Sequence, residues 1–424
     1  MSDAPAPPTF PPHTHAKLSP RTYLAAHLTS SPPTRPSGRS PDQSRPVTVH
    51  TGSLTYCHGS AVLRQGDTTV VCGVRGEILK ADDIPNHAQL QSLDSSKDQS
   101  TNTQTKPTKN TKVRSRDKKE QDHMAYLGLL VPNIELATGC SPDHLPGGPP
   151  STTAQALSQR LLSALHTTGL ISPHRLRIFE PPPKPHDTGD KESTGEQAEE
   201  AEEENQTESG PEAEVQTPSE NYPTPSVSDR SSGDQGDLPT NMTALRQLLG
   251  PSVPKLKAYW TLYIDSVVIS LDHGPRSLFD PLFTAMLSAL RNTKLPQAYW
   301  STDDECVLCD PNPANDTTLM LRKDLPVATS FGVFTFMDRE ETDDSDAGEA
   351  RTKTNVILSD PDAFEEDLCE EVLTVTVVGK AKVCTITKSG GGCIDPERLE
   401  DCVRLAQRRR DRVLETIEKT EEDE

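Results

Sequence analysis

Residues 259–276 read YWTLYIDSVVISLDHGPR and carry two carboxylates, Asp265 and Asp272, followed closely by Arg276. In a phosphate-dependent nuclease, a carboxyl group at such a strand end can hold a divalent ion or protonate the leaving oxygen. A nearby arginine holds inorganic phosphate. An Asp in this position also simply caps a turn, and on this segment alone the turn is the plainer reading. The other groups with chemical potential are thinner. Cys306 and Cys309 form one C-x-x-C, but zinc takes four ligands and no second pair stands at finger or ribbon spacing. Gly390-Gly391-Gly392 follows a strand and lacks the Lys-Ser/Thr of a phosphate-cradling loop, so it reads as a turn. His13 and His15 sit in a proline-rich tail. No metal and no cofactor is expected.

Alternation and turn residues predict the elements that must position these groups. Thr48–Leu54, Ser60–Leu63 and Thr68–Leu79 read as an antiparallel meander punctuated by Gly52, Gly59 and Gly66-Asp67. Leu127–Ala137 is a further strand candidate. Ser151–His166 is a helix with Leu157, Leu161, Leu162 and Leu165 on one face, capped by Ser151 or Thr153. Past an acidic stretch the pattern repeats in kind. A long strand at Tyr259–Leu271 precedes a helix that Asp280-Pro281 would open as N-cap and first residue. Strands follow at Val327–Met337, Thr354–Leu358, Val372–Val378 and Lys382–Thr387. The last helix, Pro396–Lys419, turns Leu399, Val403, Ala406, Val413 and Ile417 inward, with Arg404, Arg408, Arg409, Arg410 and Arg412 mostly outward. The order predicts an α+β chain of two related lobes with a C-terminal helix.

The chain has 424 residues, 32% of them hydrophobic and 4% aromatic, with 38 prolines, so part of it buries no core. Residues 181–240 hold 16 acidic against 3 basic residues and nine prolines, and supply more than half of the net charge of −21. This segment reads as a disordered insert, and the acidity says little about partners of the folded part. A second polar insert spans 84–122. Its stretch Lys97–Lys119 has eight basic residues and two acidic ones, a solvated loop or a basic arm for RNA phosphates or nuclear import. The expected division is a disordered tail 1–16, a folded first part 17–83 and 123–180, and a second part 241–424 with an acidic loop at 338–351. No run of about 18 apolar residues is present, so no spanning helix and no membrane partner is expected. Met1–Pro12 lacks an apolar stretch, so no secretory leader is expected either. Nine scattered cysteines fit reduced thiols better than a disulfide framework.

Several segments together resemble one family. RPSGRSPDQSRP (Arg35–Pro46) resembles the R-x-D-G-R…R motif of the RNase PH family, and TGSLTYCHGSAVLRQGDTTVVCGVRGEI (Thr51–Ile78) resembles its G…GSA…G-x-T signature. WTLYIDSVVISLDHG, FDPLFTAMLSALRNTKLP, DPDAFEEDLCEEVLTVTV and KSGGGCIDPERLEDCVRLAQRR follow in family order. The nearest likeness is to eukaryotic exosome ring subunits. That resemblance implies an RNase PH-like fold and a ring of six related subunits around a channel for single-stranded RNA. It also implies OB-fold and KH cap subunits on one face, a separate hydrolytic 3′→5′ exonuclease at the other, and residence in nucleus, nucleolus and cytoplasm.

The departures bear on activity. Where active members read A-D-G-G-T-R, this chain has Leu271-Asp272-His273-Gly274-Pro275-Arg276, and Val267 stands where another Asp is frequent. In the phosphate-holding helix Arg160 remains and a leucine replaces the second arginine, while Ser37 replaces the Asp of the first motif. A phosphate held by one arginine loses roughly half of its charge-assisted bonds. The expectation is therefore a degenerate site at Asp265 and Asp272, no catalytic residue, and RNA contact or an internal salt bridge at Arg160 and Arg276. The alternatives are an active phosphate-dependent 3′–5′ exoribonuclease and a free-standing RNA-binding module.

Overall fold

The computed structural model describes residues 11–85, 122, 124–142, 144, 151–180, 255–339, 351–379, 382–391 and 394–422. The acidic insert 181–240, nearly all of the polar insert 84–122 and most of the loop 338–351 lie outside the described residues. Two short helices open the chain, α1 (Pro12–Leu18) and α2 (Pro20–Leu28), each with proline in its first turn. Strands β1 (Val47–Thr51), β2 (Gly59–Gln65) and β3 (Thr68–Lys80) form the expected antiparallel meander. Gly66, with φ +62°, makes the tight β2–β3 turn. Next come β4 (Leu130–Leu136), α3 (Thr152–Thr168), β5 (Arg177–Phe179) and β6 (Leu256–Ser270). Ser151 caps α3 by accepting the Ala154 N–H.

The six-stranded first sheet runs β1-β2-β3-β6-β4, with β5 pairing β6. β4 lies parallel to β6, and the other neighbours are antiparallel. The repeat in kind therefore does not begin at the acidic insert, as the sequence order suggested. β6 pairs with β3 from Lys80↔Ala258 to Thr69↔Ser270 and completes the first sheet. Helix α4 (Phe279–Asn292) follows, then β7 (Lys294–Leu295), β8 (Ala298–Ser301), β9 (Cys306–Cys309) and β10 (Thr317–Thr318). β11 (Pro326–Arg339), β12 (Arg351–Ser359), α5 (Ala363–Leu368), β13 (Glu371–Val378), β14 (Lys382–Gly390) and α6 (Pro396–Glu422) complete the chain. The second sheet has the order β12-β11-β13-β14, antiparallel throughout.

Helix α4 is buried along its whole length from Phe279 to Leu290 and packs against β2, β3 and β11. Its polar side chains Asp280, Thr284 and Ser288 are hydrogen-bonded internally, so the helix can lie buried between the two sheets. Helix α6 serves both cores: Val413 and Ile417 enter the first, Cys402 and Ala406 the second. Leu24 and Leu28 of α2 pack on Phe334 and Leu358 of the second sheet. Burying such a leucine stabilises by about 1.5–3 kcal/mol, which fixes the N-terminal helices to the fold.

Three expectations need correction. Residues 12–16, assigned to a disordered tail, are helical; Pro12 starts α1, and His15 meets Tyr23 of α2 edge-on at 5.7 Å. Asp280 is not the N-cap of α4 but lies inside its first turn, 1% exposed, where its carboxylate binds the N–H and hydroxyl of Ser330. Arg409 and Arg410 are not on the solvent face of α6. They are 6% and 8% exposed, and Arg409 pairs with Asp280 at 3.3 Å.

Candidate functional site

Three irregular segments meet at one end of β6: the arginine-rich loop Arg35–Arg45, the turn Leu271–Ser277 into α4, and Ser359–Leu368, which contains α5. The third segment supplies the anions. Asp362 caps α5 in a reciprocal capping box with Glu365, which fixes the helix and directs Glu365 and Glu366 inward, both 0% exposed.

Asp360 is the centre. It is fully buried, with φ +55°. Its carboxylate accepts Arg45 N–H at 2.7 Å, Arg45 Nε at 3.0 Å and Nη2 at 2.8 Å, Gln65 Nε2 at 2.9 Å and His273 Nε2 at 3.0 Å. Burial alone would push this carboxyl up; the bond from His273, the charge of Arg409 and the bonds from Arg45 overcome it and hold the group well below the usual carboxylate range. His273 is locked from the other side. Thr68 Oγ1 accepts the Asp272 N–H at 2.8 Å and is hydrogen-bonded to His273 Nδ1 at 2.7 Å. The histidine at the family's first glycine position is thus a structural pin. Arg45 reaches on to Asp272, Nη1 to Oδ2 2.5 Å. Burial opposes its charge, but Asp360 and Asp272 raise its pKa above the ordinary value.

The other two arginines of the first motif are equally committed. Arg35 is 1% exposed and donates to Glu365 at 3.2 Å, to the Ser359 carbonyl at 2.6 Å and to the Pro41 carbonyl. Burial lowers the pKa of Arg35 and raises that of Glu365, the signature of a pair taken out of water together. Arg39 lies within 3.6–3.9 Å of Glu365, Asp360 and Asp362, and its Nε donates to Ser37.

The turn before α4 is occupied by Glu366. Its Oε1 accepts the backbone N–H of Arg276 at 2.8 Å and Arg276 Nε at 3.2 Å; its Oε2 accepts the Ser277 N–H at 2.8 Å. Two backbone donors ahead of a helix make an anion seat, and an internal carboxylate fills it. The fit requires Gly274, because a Cβ there would lie 2.2 Å from Glu366 Cδ. Pro275 offers the seat neither an N–H nor a hydroxyl.

Of the residues marked from sequence, Arg160 and Arg276 come together: Arg160 Nη1 donates to the Arg276 carbonyl at 3.4 Å, and its guanidinium lies 4.6 Å from the Phe279 ring centroid. Burial lowers the pKa of Arg160. Arg276 takes the internal salt bridge, with Glu366. Asp272 belongs to the cluster through Arg45. Asp265 does not, which corrects its pairing with Asp272: it sits on β6 opposite Gly73 and Asn133, bonded to Asn133 Nδ2. At ~3.3 Å per residue the strand separates the two carboxylates by about 20 Å. Sequence reasoning missed Asp360, Glu365, Glu366 and the roles of Arg35, Arg39, Arg45 and His273. The Asp362-x-x-Glu365 capping box was the available signal. Among the described residues no cluster of three or more His, Cys, Asp or Glu could hold a metal ion.

Arg35, Arg39, Arg45, Arg160, Arg276 and Arg409 thus face an equal number of acids, Asp272, Asp280, Asp360, Asp362, Glu365 and Glu366. Five of these arginines are ion-paired within the chain; Arg160 feels Asp280 and Glu366 only through space, with no ion pair among the described residues.

Known proteins carry the same framework. Residues 43–179 match domain 1 of the 3′ exoribonuclease family, RNase PH, and residues 324–409 match its domain 2. Over 400 residues, 94% of this chain and 95% of the relative, the sequence is 24% identical to exosome complex component rrp43 of Schizosaccharomyces pombe. It is 27% identical over 172 residues to the putative exosome complex exonuclease RRP42 of Dictyostelium discoideum, 40% of this chain and 46% of that one. A solved Archaeoglobus fulgidus exosome chain covers 93% of this chain and 96% of its own length, with 16% identity and a TM-score of 0.48. With both domains in order around a mixed helix-and-sheet fold, the chain belongs to the RNase PH family of 3′ exoribonucleases.

Proposed function

We propose that this chain is a non-catalytic subunit of an RNA exosome ring. It would help to form the channel that delivers RNA to a 3′–5′ exoribonuclease in ribosomal RNA processing and RNA degradation. The likeness to rrp43 over nearly the whole of both chains supports the exosome reading. The observation that carries the non-catalytic part is Glu366 seated on the Arg276 and Ser277 N–H groups. A phosphorolytic enzyme must bring a phosphate dianion to its arginines. Here each of Arg35, Arg39, Arg45 and Arg276 is paired with a carboxylate of the same chain, so an incoming anion would have to displace an internal partner.

The partners that fit this reading are other RNase PH-type subunits, for which relatives named RRP42 and RRP45 give support. OB-fold and KH cap subunits, a hydrolytic exonuclease and single-stranded RNA complete the assembly, in nucleus, nucleolus and cytoplasm. Arg160 has no carboxylate within ion-pair distance among the described residues, so it, rather than Arg276, is the residual RNA contact. Native mass measurement of the tagged endogenous chain tests the proposal. A hetero-oligomer with several RNase PH-type subunits is expected. A chain found only as monomer or homodimer would remove the ring.

A further inference from the structure

Away from the ion-pair cluster, a groove of about 1150 Å³ opens between the C-terminal end of α3, the turn Pro173–Leu176, the segment after β10 and the start of β14. Its apolar lining comes from Leu170, Leu321, Val383 and Met320, the last 59% exposed. Its rim is cationic: Arg175, Lys323 and Lys382 are exposed and make no ion pair among the described residues, against one acid, Asp122. Arg322 is used locally, since it donates to the Thr168 carbonyl at the end of α3 and balances the helix dipole. The other three cations have no such task in the described fold.

Among the described residues β14 is the edge of the second sheet and pairs only with β13. An open edge of backbone donors and acceptors beside an apolar floor invites strand addition by an extended chain. The occupant's charge follows from the rim. Single-stranded RNA is the less suitable anion, because such sites stack bases on aromatic rings, and among the described residues no Phe, Tyr or Trp lines this groove. We propose that the groove docks an extended acidic segment of a partner protein, added along the β14 edge. Aliphatic side chains at alternate positions would enter the floor, and carboxylates between them would meet Arg175, Lys323 and Lys382. This is a surface for a partner other than RNA, and it stands whether or not the chain works in a ring.

Fluorescence anisotropy of the full chain with a labelled peptide of alternating glutamate and leucine tests it. The same peptide with glutamine for glutamate and a labelled oligouridylate serve as comparisons. The expected result is binding of the glutamate peptide alone, weakening with salt. Arg175→Glu/Lys323→Glu/Lys382→Glu should lower affinity roughly tenfold or more. All three side chains are exposed, so circular dichroism should be unchanged. Met320→Asp, which leaves the rim cations in place, should also weaken binding. Equal affinity for the glutamine peptide, no effect of the charge reversals, or oligouridylate binding that disappears with the same reversals would each overturn the proposal.

Discussion

Arg45 and Asp360 meet through three hydrogen bonds to one carboxylate, from the arginine's own backbone N–H, its Nε and its Nη2, at 2.7–3.0 Å. The two residues are 315 apart in sequence. The pair closes the N-terminal loop onto the second sheet and consumes the charge that would otherwise face solvent at the end of β6.

Asp360→Asn tests the weight of that pair. Asparagine tolerates the positive φ, so the backbone is kept and only the charge is lost. Arg45 would then remain buried without its main partner, at a cost of about 3–5 kcal/mol. A urea titration should show the midpoint falling with little change in slope.

The same carboxylate sets an acid limit. Its pKa is lowered in the fold, so its contribution is fully present above the unfolded value, about 3.9, and is lost as pH falls through the folded value. Glu365 and Asp280 act in the opposite sense, because burial raises them. The stability difference between the native chain and Asp360→Asn should therefore be constant from neutral pH down to about 5 and shrink below about 4. Urea midpoints measured across that range check it.

Gly274 and Glu366 should behave as one unit. Gly274→Ala alone forces a Cβ into the carboxylate and should cost about 1–3 kcal/mol. Glu366→Ala alone orphans Arg276 and two backbone N–H groups and should cost about 3 kcal/mol or more. The double variant should lose less than the sum, by roughly 0.5–3 kcal/mol, because the second change makes room for the first. Strict additivity in denaturation would contradict the close fit.

Arg160 and Arg276 should separate in function. In the assembled complex, Arg160→Ala should reduce the salt slope of RNA binding by about one unit and leave folding intact. Arg276→Ala should lower the unfolding midpoint instead, since its partner Glu366 is buried. Paired RNA-binding and denaturation measurements distinguish the two.

Backbone pattern was the legible layer of this sequence. Alternation placed β1–β3, β6 and β11, and the apolar face of FDPLFTAMLSALRN placed α4. Side-chain pairing was not legible. Glu365 and Glu366 look like a solvated acidic doublet, and Arg409-Arg410 like a basic helix face, until the N-terminal loop, the turn before α4 and α4 itself bring Arg35, Arg276 and Asp280 against them. Such pairs span up to 330 residues, and no local periodicity encodes them. The same blindness assigned Asp265 and Asp272 to one site, although residues at the two ends of a strand segment lie far apart in space. The assignment of β6 to the second lobe failed for a related reason: its partner β3 lies on the far side of two long inserts.

The most direct test is phosphorolysis itself. Purified full-length chain, free of other exosome subunits, is incubated with RNA and inorganic phosphate, and nucleoside diphosphates are measured. The expected result is none above the protein-free control, with Pro275→Thr no better because Glu366 still fills the seat. Phosphate-dependent release of nucleoside diphosphates by the native chain would contradict the account.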